Sequence, residues 1–442
     1  MKTMDLEIIS EKLSWKMSAR KTFRKIEYLF HILVCILMMG AFFPMFRNFF
    51  GKQPGLLEGD PLQRTVLTAA YVLALLALCF HLREALFMIA ATPAIWLLLL
   101  WAVLSVLWSD FPEVAFRRVL AIWLTSLYGL VLVLRFEFKQ LLRLLGGALL
   151  AVMVGSLVLL ILFPEWAIMG KPLLGNWRGV FIHKNHLGRF SALALLVAGY
   201  LIVMNRNTLE KIVWGLLAAI SLITLVGSQS LGAQVIVVIM TVSILFFKTF
   251  FSKKKNARLW LLLLGLILAV TVFYFLTNYD RIMVEEFAKD SSLSGRVPLW
   301  RMLVDKISRQ PLLGYGYGSF WVGTVGPAAE IWKNLDWEAP HAHNGYLDLW
   351  LQLGFLGICL GLYLLLRLCI LSVKHHAATG PAGQFWILFM AFFICYNMIE
   401  SIFLTANGLF WVLLVYGYVY LNDGHFSPLP NRAGKDEIIL SR

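Results

Sequence analysis

The residues His343-Asn344 are followed, after nine intervening residues, by Gly354 and, after two more intervening residues, by Gly357. This spacing places an imidazole where a polar segment enters a long apolar run. An ionisable group at a membrane boundary is costly and usually functional. A free imidazole titrates at about pH 6.5 and can take a hydroxyl proton at neutral pH. His343 is therefore a candidate general base, and the alternatives are an interfacial histidine and a helix cap.

Two arginines, Arg178 and Arg296, also lie in polar segments outside the apolar runs. A guanidinium stays charged and can bind two oxygens of one phosphate at once. Both side chains are candidates to bind a phosphate or diphosphate. The alternative for each is a side chain that extends its charge to the lipid headgroups.

The polar run around Arg178 continues to His183-Lys184-Asn185, before an apolar stretch from Phe190 to Met204. That stretch would form only about 22 Å of helix, less than the bilayer core of about 30 Å. Part of the polar run must then lie at membrane depth, which is tolerated only against protein or water. We predict an outward-facing cavity, with His183, Lys184 and Asn185 in contact with a bound donor.

Four histidines, His183, His186, His341 and His343, could in principle meet at a metal ion. No carboxylate–histidine pattern such as HExxH accompanies them. We predict neither a metal nor a cofactor.

Three further polar residues lie close to the second half of this pattern. Asn344 and Glu400 are candidate substrate contacts, although Glu400 could instead neutralise a neighbouring arginine. Asp348 comes five residues after His343, about 140° around a helix, and is therefore poorly placed to orient that imidazole. We interpret Asp348 as a polar contact within a helix bundle.

The composition defines the elements that must position these residues. The chain has 442 residues, of which 60% are hydrophobic and 14% are charged, and its mean hydropathy is +0.76. It is predicted to be an all-α, polytopic membrane protein, because lipid offers no partner to open strand edges. About twelve spans are expected, at roughly residues 28–46, 65–82, 86–108, 114–134, 141–163, 187–204, 211–227, 231–251, 257–276, 345–373, 383–400 and 404–421.

The charge distribution predicts the topology. The net charge of +14 reflects basic residues near the N-terminus and in alternate loops, for example Lys253, Lys254 and Lys255. The positive-inside rule then places both termini in the cytoplasm and the loops at 164–186, 226–232 and 277–344 outside. The predicted order is a tail at 1–27, nine spans within 28–276, a large outer loop at 277–344, three spans within 345–421 and a tail at 422–442.

The large outer loop is predicted to contain an amphipathic helix on the membrane surface. Ser294 is the expected N-cap, Arg296 lies at the helix start, and Pro311 ends the pattern. The predicted apolar face consists of Trp300, Leu303, Val304 and Ile307. The glycine-rich piece Gly314-Tyr315-Gly316-Tyr317-Gly318 is interpreted as a turn.

Taken together, these residues resemble the O-antigen ligase and Wzy-type polymerase superfamily, most of all its exopolysaccharide polymerisation proteins. The spacing from His343-Asn344 to Gly354 and Gly357 fits the ligase signature. The resemblance covers roughly residues 165 to 405. Its other motifs are Arg178-Gly179 through Asn185, Ser294-Gly295-Arg296 with Trp300, and Glu400-Ser401.

The resemblance implies a GT-C-like membrane fold with about ten to fourteen helices and one large periplasmic loop. It also implies glycan transfer from undecaprenyl diphosphate, without a nucleotide sugar or an obligatory metal, at the periplasmic face of a bacterial inner membrane. By match of motif, Arg178 and Arg296 would bind the donor diphosphate, and His343 would activate the acceptor hydroxyl. The expected partners are a lipid-linked oligosaccharide, membrane lipid and other polysaccharide assembly and export proteins, with no nucleic acid.

The expected activity is polymerisation of exopolysaccharide repeat units. The run from His183 to His186 is more typical of exopolysaccharide members, and it leaves the acceptor open. The alternatives are a ligase that acts on lipid A core or protein, and a transporter of lipid-linked sugar. A transporter should carry charges in mid-span, whereas the ionisable groups here gather at one face, which favours an enzyme. The enzyme hypothesis requires Arg178, Arg296 and His343 to converge in one outward-facing cavity.

Overall fold

The computed structural model describes residues 22–43, 45, 61–171, 173–250, 296–335, 337–379 and 381–422. Within these ranges the backbone forms helices joined by turns. The β-type pairing seen there is an isolated bridge between Ile168 and Trp177. The all-α prediction is confirmed for the described ranges.

The helices follow one another in the following order. They are α1 (22–38), α2 (Pro61–Cys79), α3 (Leu82–Ala91), α4 (Pro93–Leu104), α5 (Pro112–Arg135), α6 (Phe138–Leu162), α7 (Pro164–Ala167), α8 (Lys184–Met204), α9 (Thr208–Ser228), α10 (Leu231–Phe250), α11 (Arg296–Arg309), α12 (Ala329–Asn334), α13 (Gly345–Thr379), α14 (Pro381–Tyr396) and α15 (Leu409–Asn422). Short 3₁₀ turns lie at Ser105–Trp108 and Gly323–Val325.

Five helices in the described ranges, α5, α6, α8, α9 and α13, are long and apolar enough to cross a membrane. The number is up to six if the bent pair Gln63–Cys79 and Leu82–Ala91, which meet at 98°, forms one span. These helices are those expected of a multi-pass membrane protein. The predicted count of about twelve spans stays a prediction, because this count covers the described residues alone. The span predicted at 257–276 lies outside the described residues, as does the first part of the predicted outer loop.

Several predicted boundaries were wrong. The apolar run at 86–108 is two helices, because α3 ends at Ala91 and α4 begins at Pro93. Proline lacks an N–H group and disfavours helical geometry at the residue before it, here Thr92. The span predicted at 383–400 ends at Tyr396, and the next helix begins at Leu409. Glu400 is therefore in a loop, residues 397–408, and not at the end of a span.

The chain divides into two compact units. The first comprises Met1–Gly51 and Phe138–Ser228, and its helices α6, α8 and α9 pack on one another. Gly146 of α6 allows close approach, since a Cβ atom there would lie 2.7 Å from Leu201 and 2.8 Å from Trp214. Helix α8 begins at Lys184, within the polar run, and its 21 residues span about 31 Å. The polar residues that precede Phe190 thus form the first turns of the same helix and lengthen it beyond the short apolar stretch.

The second unit comprises Lys52–Glu137 and Gln229–Arg442. Within it α5 packs on α15, where Gly129 leaves room for Val415, and α13 packs on α14. A buried apolar cluster outside the long helices includes Leu303, Phe320 and Ile331. This second unit carries Arg296, His343 and Glu400.

Helix α13 is broken at Gly354, which has φ 65° and ψ −164°. This backbone conformation is essentially restricted to glycine. At the break, backbone groups of α13 form hydrogen bonds with the turn at 311–315. The N–H of Phe355 donates to the carbonyl of Pro311, and the N–H of Tyr315 donates to the carbonyl of Leu351, each at 2.8 Å. A Cβ atom on Gly354 would lie 2.1 Å from the carbonyl oxygen of Leu312. The first glycine of the signature is thus the point at which this turn docks into α13.

The amphipathic helix α11 starts at Arg296 and ends before Pro311, as predicted, while Ser294 lies outside the described residues. Its buried face is formed by Leu299, Leu303, Lys306 and Ile307. Val304, which belongs to the apolar face predicted to contact the membrane, is 56% exposed. The face buried against the apolar cluster of the same unit is therefore slightly rotated from the predicted one. Its position on a membrane surface stays a prediction.

Candidate active site

The side chains of three distant segments meet at the carboxylate of Glu400, which is only 7% exposed. Arg296 Nη2 lies 2.9 Å from Oε1. His343 Nδ1 lies 3.2 Å from the carboxylate oxygens, and His341 Nε2 lies 3.7 Å from Oε2. The structure therefore brings Arg296 and His343 together, and it does so through a shared acidic group.

The loop that carries Glu400 is shaped by Asn397. The Oδ1 atom of Asn397 accepts hydrogen bonds from the N–H groups of Ile402 and Phe403, at 3.1 and 2.9 Å. Its backbone carbonyl accepts the N–H of Gly345, at 2.8 Å. A Cβ atom on Gly345 would lie 2.0 Å from Asn397 Oδ1, so only glycine fits there. These contacts fix the loop against the first residue of α13.

His343 lies immediately before α13 in a left-handed conformation, with φ 48°. This conformation is uncommon for a residue with a side chain and is concentrated at functional sites. Asn344 follows it as the helix cap: its Oδ1 accepts the N–H groups of Tyr346 and Leu347, at 3.0 and 3.1 Å. In this pair, His343 therefore lies outside the helix and Asn344 is the N-cap of the helix. The predicted substrate contact of Asn344 stays a prediction.

The imidazole of His343 is sheltered on two sides. The ring of Trp337 lies 5.5 Å away and that of His341 lies 4.1 Å away, measured between centroids. Trp300 of α11 fixes the preceding backbone, because its Nε1 donates to the carbonyl of Ala342 at 2.8 Å. The side chain of His343 keeps 15% of its surface exposed, which leaves access for a small polar group.

The charge state of Glu400 decides which imidazole nitrogen can act. Burial alone would raise the pKa of Glu400, but the hydrogen bond from His343 and the electrostatic effect of the neighbouring His343, His341 and Arg296 side chains outweigh it and hold the pKa well below its usual range. The group is therefore a carboxylate, which only accepts hydrogen bonds. His343 must then carry its proton on Nδ1. Its Nε2 atom holds the lone pair that can accept a proton from a hydroxyl group.

The second histidine has the opposite arrangement of donors and acceptors. His341 Nδ1 accepts the backbone N–H of His343, at 3.1 Å, so its proton lies on Nε2 and faces Glu400. A neutral imidazole carries only one ring proton. His341 therefore supports both the backbone at His343 and the charge on Glu400.

The donor atoms of His341, His343 and Glu400 lie within 4.8 Å of one another, close enough in principle for a metal ion. A metal on His341 Nε2 would move the ring proton to Nδ1 and remove the acceptor of the His343 N–H group. The cation of Arg296 also lies against the same carboxylate. The donor set fits hydrogen bonding better than coordination, and the absence of a metal stays a prediction.

Arg296 is fixed to the loop at two points. In addition to its ion pair with Glu400, its Nη1 donates to the carbonyl of Ile399 at 2.6 Å. This contact with the loop was not predicted from the sequence. A guanidinium has five N–H donors, so these two contacts do not exhaust it.

The remaining candidates belong to the first unit. Arg178 Nε donates to the carbonyl of Trp166 at 2.8 Å, and burial lowers the pKa of Arg178. His183 is the N-cap of α8, since its Nδ1 accepts the N–H of Asn185 at 3.2 Å. Lys184 is buried in the first turn of that helix. Whether Arg178 joins the Glu400 cluster stays a prediction.

Comparison with known proteins places this geometry in a family context. Residues 216–362, about a third of the chain, match the O-antigen ligase family. This region contains Arg296, His343, Gly354 and Gly357. The resemblance to the O-antigen ligase family is confirmed. Arg178 and Glu400 lie outside the region that matches the O-antigen ligase family.

Two similar proteins extend the comparison. The exopolysaccharide production protein ExoQ of Rhizobium meliloti is 24% identical over 278 residues, which cover 59% of this chain and 60% of ExoQ. The ComP-specific O-oligosaccharyltransferase of Acinetobacter baylyi is 24% identical over 236 residues, which cover 52% of this chain and 42% of that protein. The chain thus spans less than two thirds of either relative.

Part of the site that contains the O-antigen ligase motif was not predicted from the sequence. His341 was considered only as a metal ligand, and Asn397 was not considered at all. The His-x-His spacing was a usable signal, because side chains two positions apart can contact each other in a loop. Asn397 gives no such signal, since a lone asparagine near a helix end has many uses.

Proposed function

We propose that this protein is a glycosyltransferase that polymerises exopolysaccharide repeat units from an undecaprenyl-diphosphate-linked donor, at the periplasmic face of a bacterial inner membrane. The observation that carries the proposal is the cluster of His343, Glu400 and Arg296 at the start of α13. The match with the O-antigen ligase family and the similarity to ExoQ support it. The apolar helices and basic loops support the membrane location.

In the proposed reaction, Nε2 of His343 takes the proton of an acceptor hydroxyl group. The hydroxyl oxygen attacks the anomeric carbon of the donor sugar, and the bond from that carbon to the diphosphate oxygen breaks with inversion. The lipid diphosphate leaves with the bonding electrons. Glu400 orients the imidazole and stabilises the imidazolium that forms, which is a common role for a carboxylate beside a catalytic histidine.

The leaving group explains why a base and cations suffice. A lipid diphosphate is already activated, so the protein has to position the two substrates and neutralise the charge that develops. Arg296 is proposed to bind the diphosphate with the N–H groups that do not contact the loop, and Arg178 is proposed to bind it from the first unit. His183, Lys184, Asn185 and Asn344 remain proposed substrate contacts, and Glu400 is reassigned from sugar binding to the histidine.

A second acceptor class is favoured by a specific observation. The relative from Acinetobacter baylyi is named a ComP-specific O-oligosaccharyltransferase, a name that describes transfer of an oligosaccharide. The same base and leaving group would serve a protein hydroxyl or a lipid A core sugar, because the acceptor enters only as a hydroxyl group. Transport of lipid-linked sugar without bond formation is the alternative from another class.

Product analysis distinguishes these activities. The protein is reconstituted in vesicles with an undecaprenyl-diphosphate-linked oligosaccharide, with and without a chelator, and the products are separated by length. We expect a ladder of products that chelator does not change, because the mechanism uses no metal. A single product on an added acceptor would identify a ligase, and the absence of any new bond would contradict enzymatic transfer.

A further inference from the structure

We propose that Asp348 is a positioning residue that fixes the side chains of His343 and Glu400 relative to each other for glycosyl transfer. The proposal rests on the proposed function, since it assigns His343 as the base. Asp348 lies in the first turn of α13 and is 5% exposed. It does not contact the imidazole, in agreement with its position five residues along the helix. Its contacts are with the segments on either side of the two reactive side chains.

The first contact is with the segment that carries the base. The backbone N–H of Ala342, the residue before His343, lies 3.2 Å from Oδ1 and 3.1 Å from Oδ2 of Asp348. The Nε1 atom of Trp300 donates a hydrogen bond to the carbonyl of the same residue. His343 follows in its left-handed conformation, which costs free energy and persists only where the surroundings fix it. A buried carboxyl group on α13 is well suited to that task, because its two oxygens can accept hydrogen bonds from more than one segment.

The second contact is with the segment that carries the carboxylate. The hydroxyl of Ser401, the residue after Glu400, donates to Oδ2 of Asp348. One buried side chain therefore accepts hydrogen bonds from the residue before the base and from the residue after its carboxylate partner. These segments are separated by more than 50 positions in the chain, and Asp348 joins them across the site.

A third contact provides a matched control. Trp321 Nε1 donates to Oδ1 of Asp348, at 2.8 Å, from a turn that carries none of the proposed catalytic residues. Trp321→Phe removes a hydrogen bond to the same carboxylate without releasing either catalytic segment. Ser401→Ala removes only the bond to the Glu400 segment, and Ser401→Thr restores the hydroxyl. Asp348→Asn keeps the size of the side chain but offers one acceptor oxygen instead of two.

The test measures kcat and KM for the reconstituted enzyme, together with the thermal unfolding temperature of each variant. We expect Asp348→Asn and Ser401→Ala to lower kcat by about 10- to 100-fold with nearly unchanged KM, because a displacement of about 1 Å can cost about 100-fold. Ser401→Thr should recover most of the loss. Trp321→Phe should change kcat by less than about threefold at a similar unfolding temperature.

Two outcomes would overturn the proposal. The first is a wild-type kcat in both Asp348→Asn and Ser401→Ala. The second is an equal loss of kcat in Ser401→Ala, Ser401→Thr and Trp321→Phe. If Asp348→Asn does not fold, the comparison of Ser401→Ala with Ser401→Thr still tests the proposal. His343→Ala separates the two hypotheses. An inactive His343→Ala together with wild-type kcat in Asp348→Asn and Ser401→Ala rejects only the positioning role, whereas an active His343→Ala rejects the assignment of His343 as the base.

Discussion

A buried carboxylate, Glu400, joins the side chains of the candidate active site. From the sequence, this residue could have bound a sugar or neutralised an arginine, and the structure supports the second use and adds the histidine. The two partners lie 104 and 57 positions away in the chain. Local periodicity carries no information on contacts of that range, so the types of the residues were predictable and their arrangement was not.

Glu400→Gln tests the electrostatics of this group, because it keeps the shape of the side chain and removes its charge. A carboxyl group whose pKa is lowered by folding stabilises the protein fully above its unfolded pKa of about 4.3, and loses that contribution only as the pH falls through the folded value. Loss of one partner of a buried ion pair costs about 3 to 5 kcal/mol. We expect a lower unfolding temperature for the variant at every pH from about 8 to about 5.

The measurement is thermal unfolding in detergent across this pH range, with Glu338→Gln as a control at an exposed carboxylate. The difference between wild type and Glu400→Gln should shrink only below about pH 4. A difference that already disappears near pH 6 would mean that the carboxyl group is protonated at the pH of the reaction, and the assignment of the proton to His343 Nδ1 would fail.

Among the helices, those with clear end signals were predicted best. The span predicted at 114–134 is α5, which begins two residues earlier at Pro112, and Pro311 follows α11 as predicted. The break inside α13 was not predicted, because a glycine in an apolar run is equally compatible with close helix packing. The structural reason lies in the turn at 311–315, which no pattern within α13 reveals.

Gly354→Ala tests the importance of that break. The new Cβ atom would meet the backbone of Leu312 and Leu313 at 2.1 to 2.5 Å, in a conformation that alanine strongly disfavours. We expect a loss of several kcal/mol, of the order of 3 kcal/mol, with lower yields of folded protein. Gly199→Ala in α8 is the matched control, since nothing lies within 4 Å of its Cβ position and alanine favours a helix.

Unfolding in detergent, monitored by intrinsic tryptophan fluorescence, would compare the two variants. Equal stability of Gly354→Ala and wild type would show that α13 can straighten without cost. Docking of the turn at 311–315 would then not be the reason for a glycine at this position of the signature.

For the molecule as a whole, composition and one spaced motif were enough to predict an all-α membrane protein similar to the O-antigen ligase family. A chain that crosses the bilayer must be rich in apolar residues, so membrane insertion can be predicted from the composition without a structure. The boundaries of the spans were harder to predict, because proline breaks and short helices divide apolar runs. The meeting of Arg296 and His343 at Glu400 depends on loop conformations set by Asn397 and Asn344, and such tertiary contacts are not encoded in hydropathy.

The most direct test of the proposed chemistry is the single-turnover rate of His343→Ala on an undecaprenyl-diphosphate-linked donor, compared with wild type and with His81→Ala as a control far along the chain. Removal of a general base lowers the rate by about 100- to 10,000-fold. We expect a loss in this range for His343→Ala, with normal membrane insertion, and little change for His81→Ala. A His343→Ala rate within about threefold of wild type would contradict the assignment of this histidine as the base.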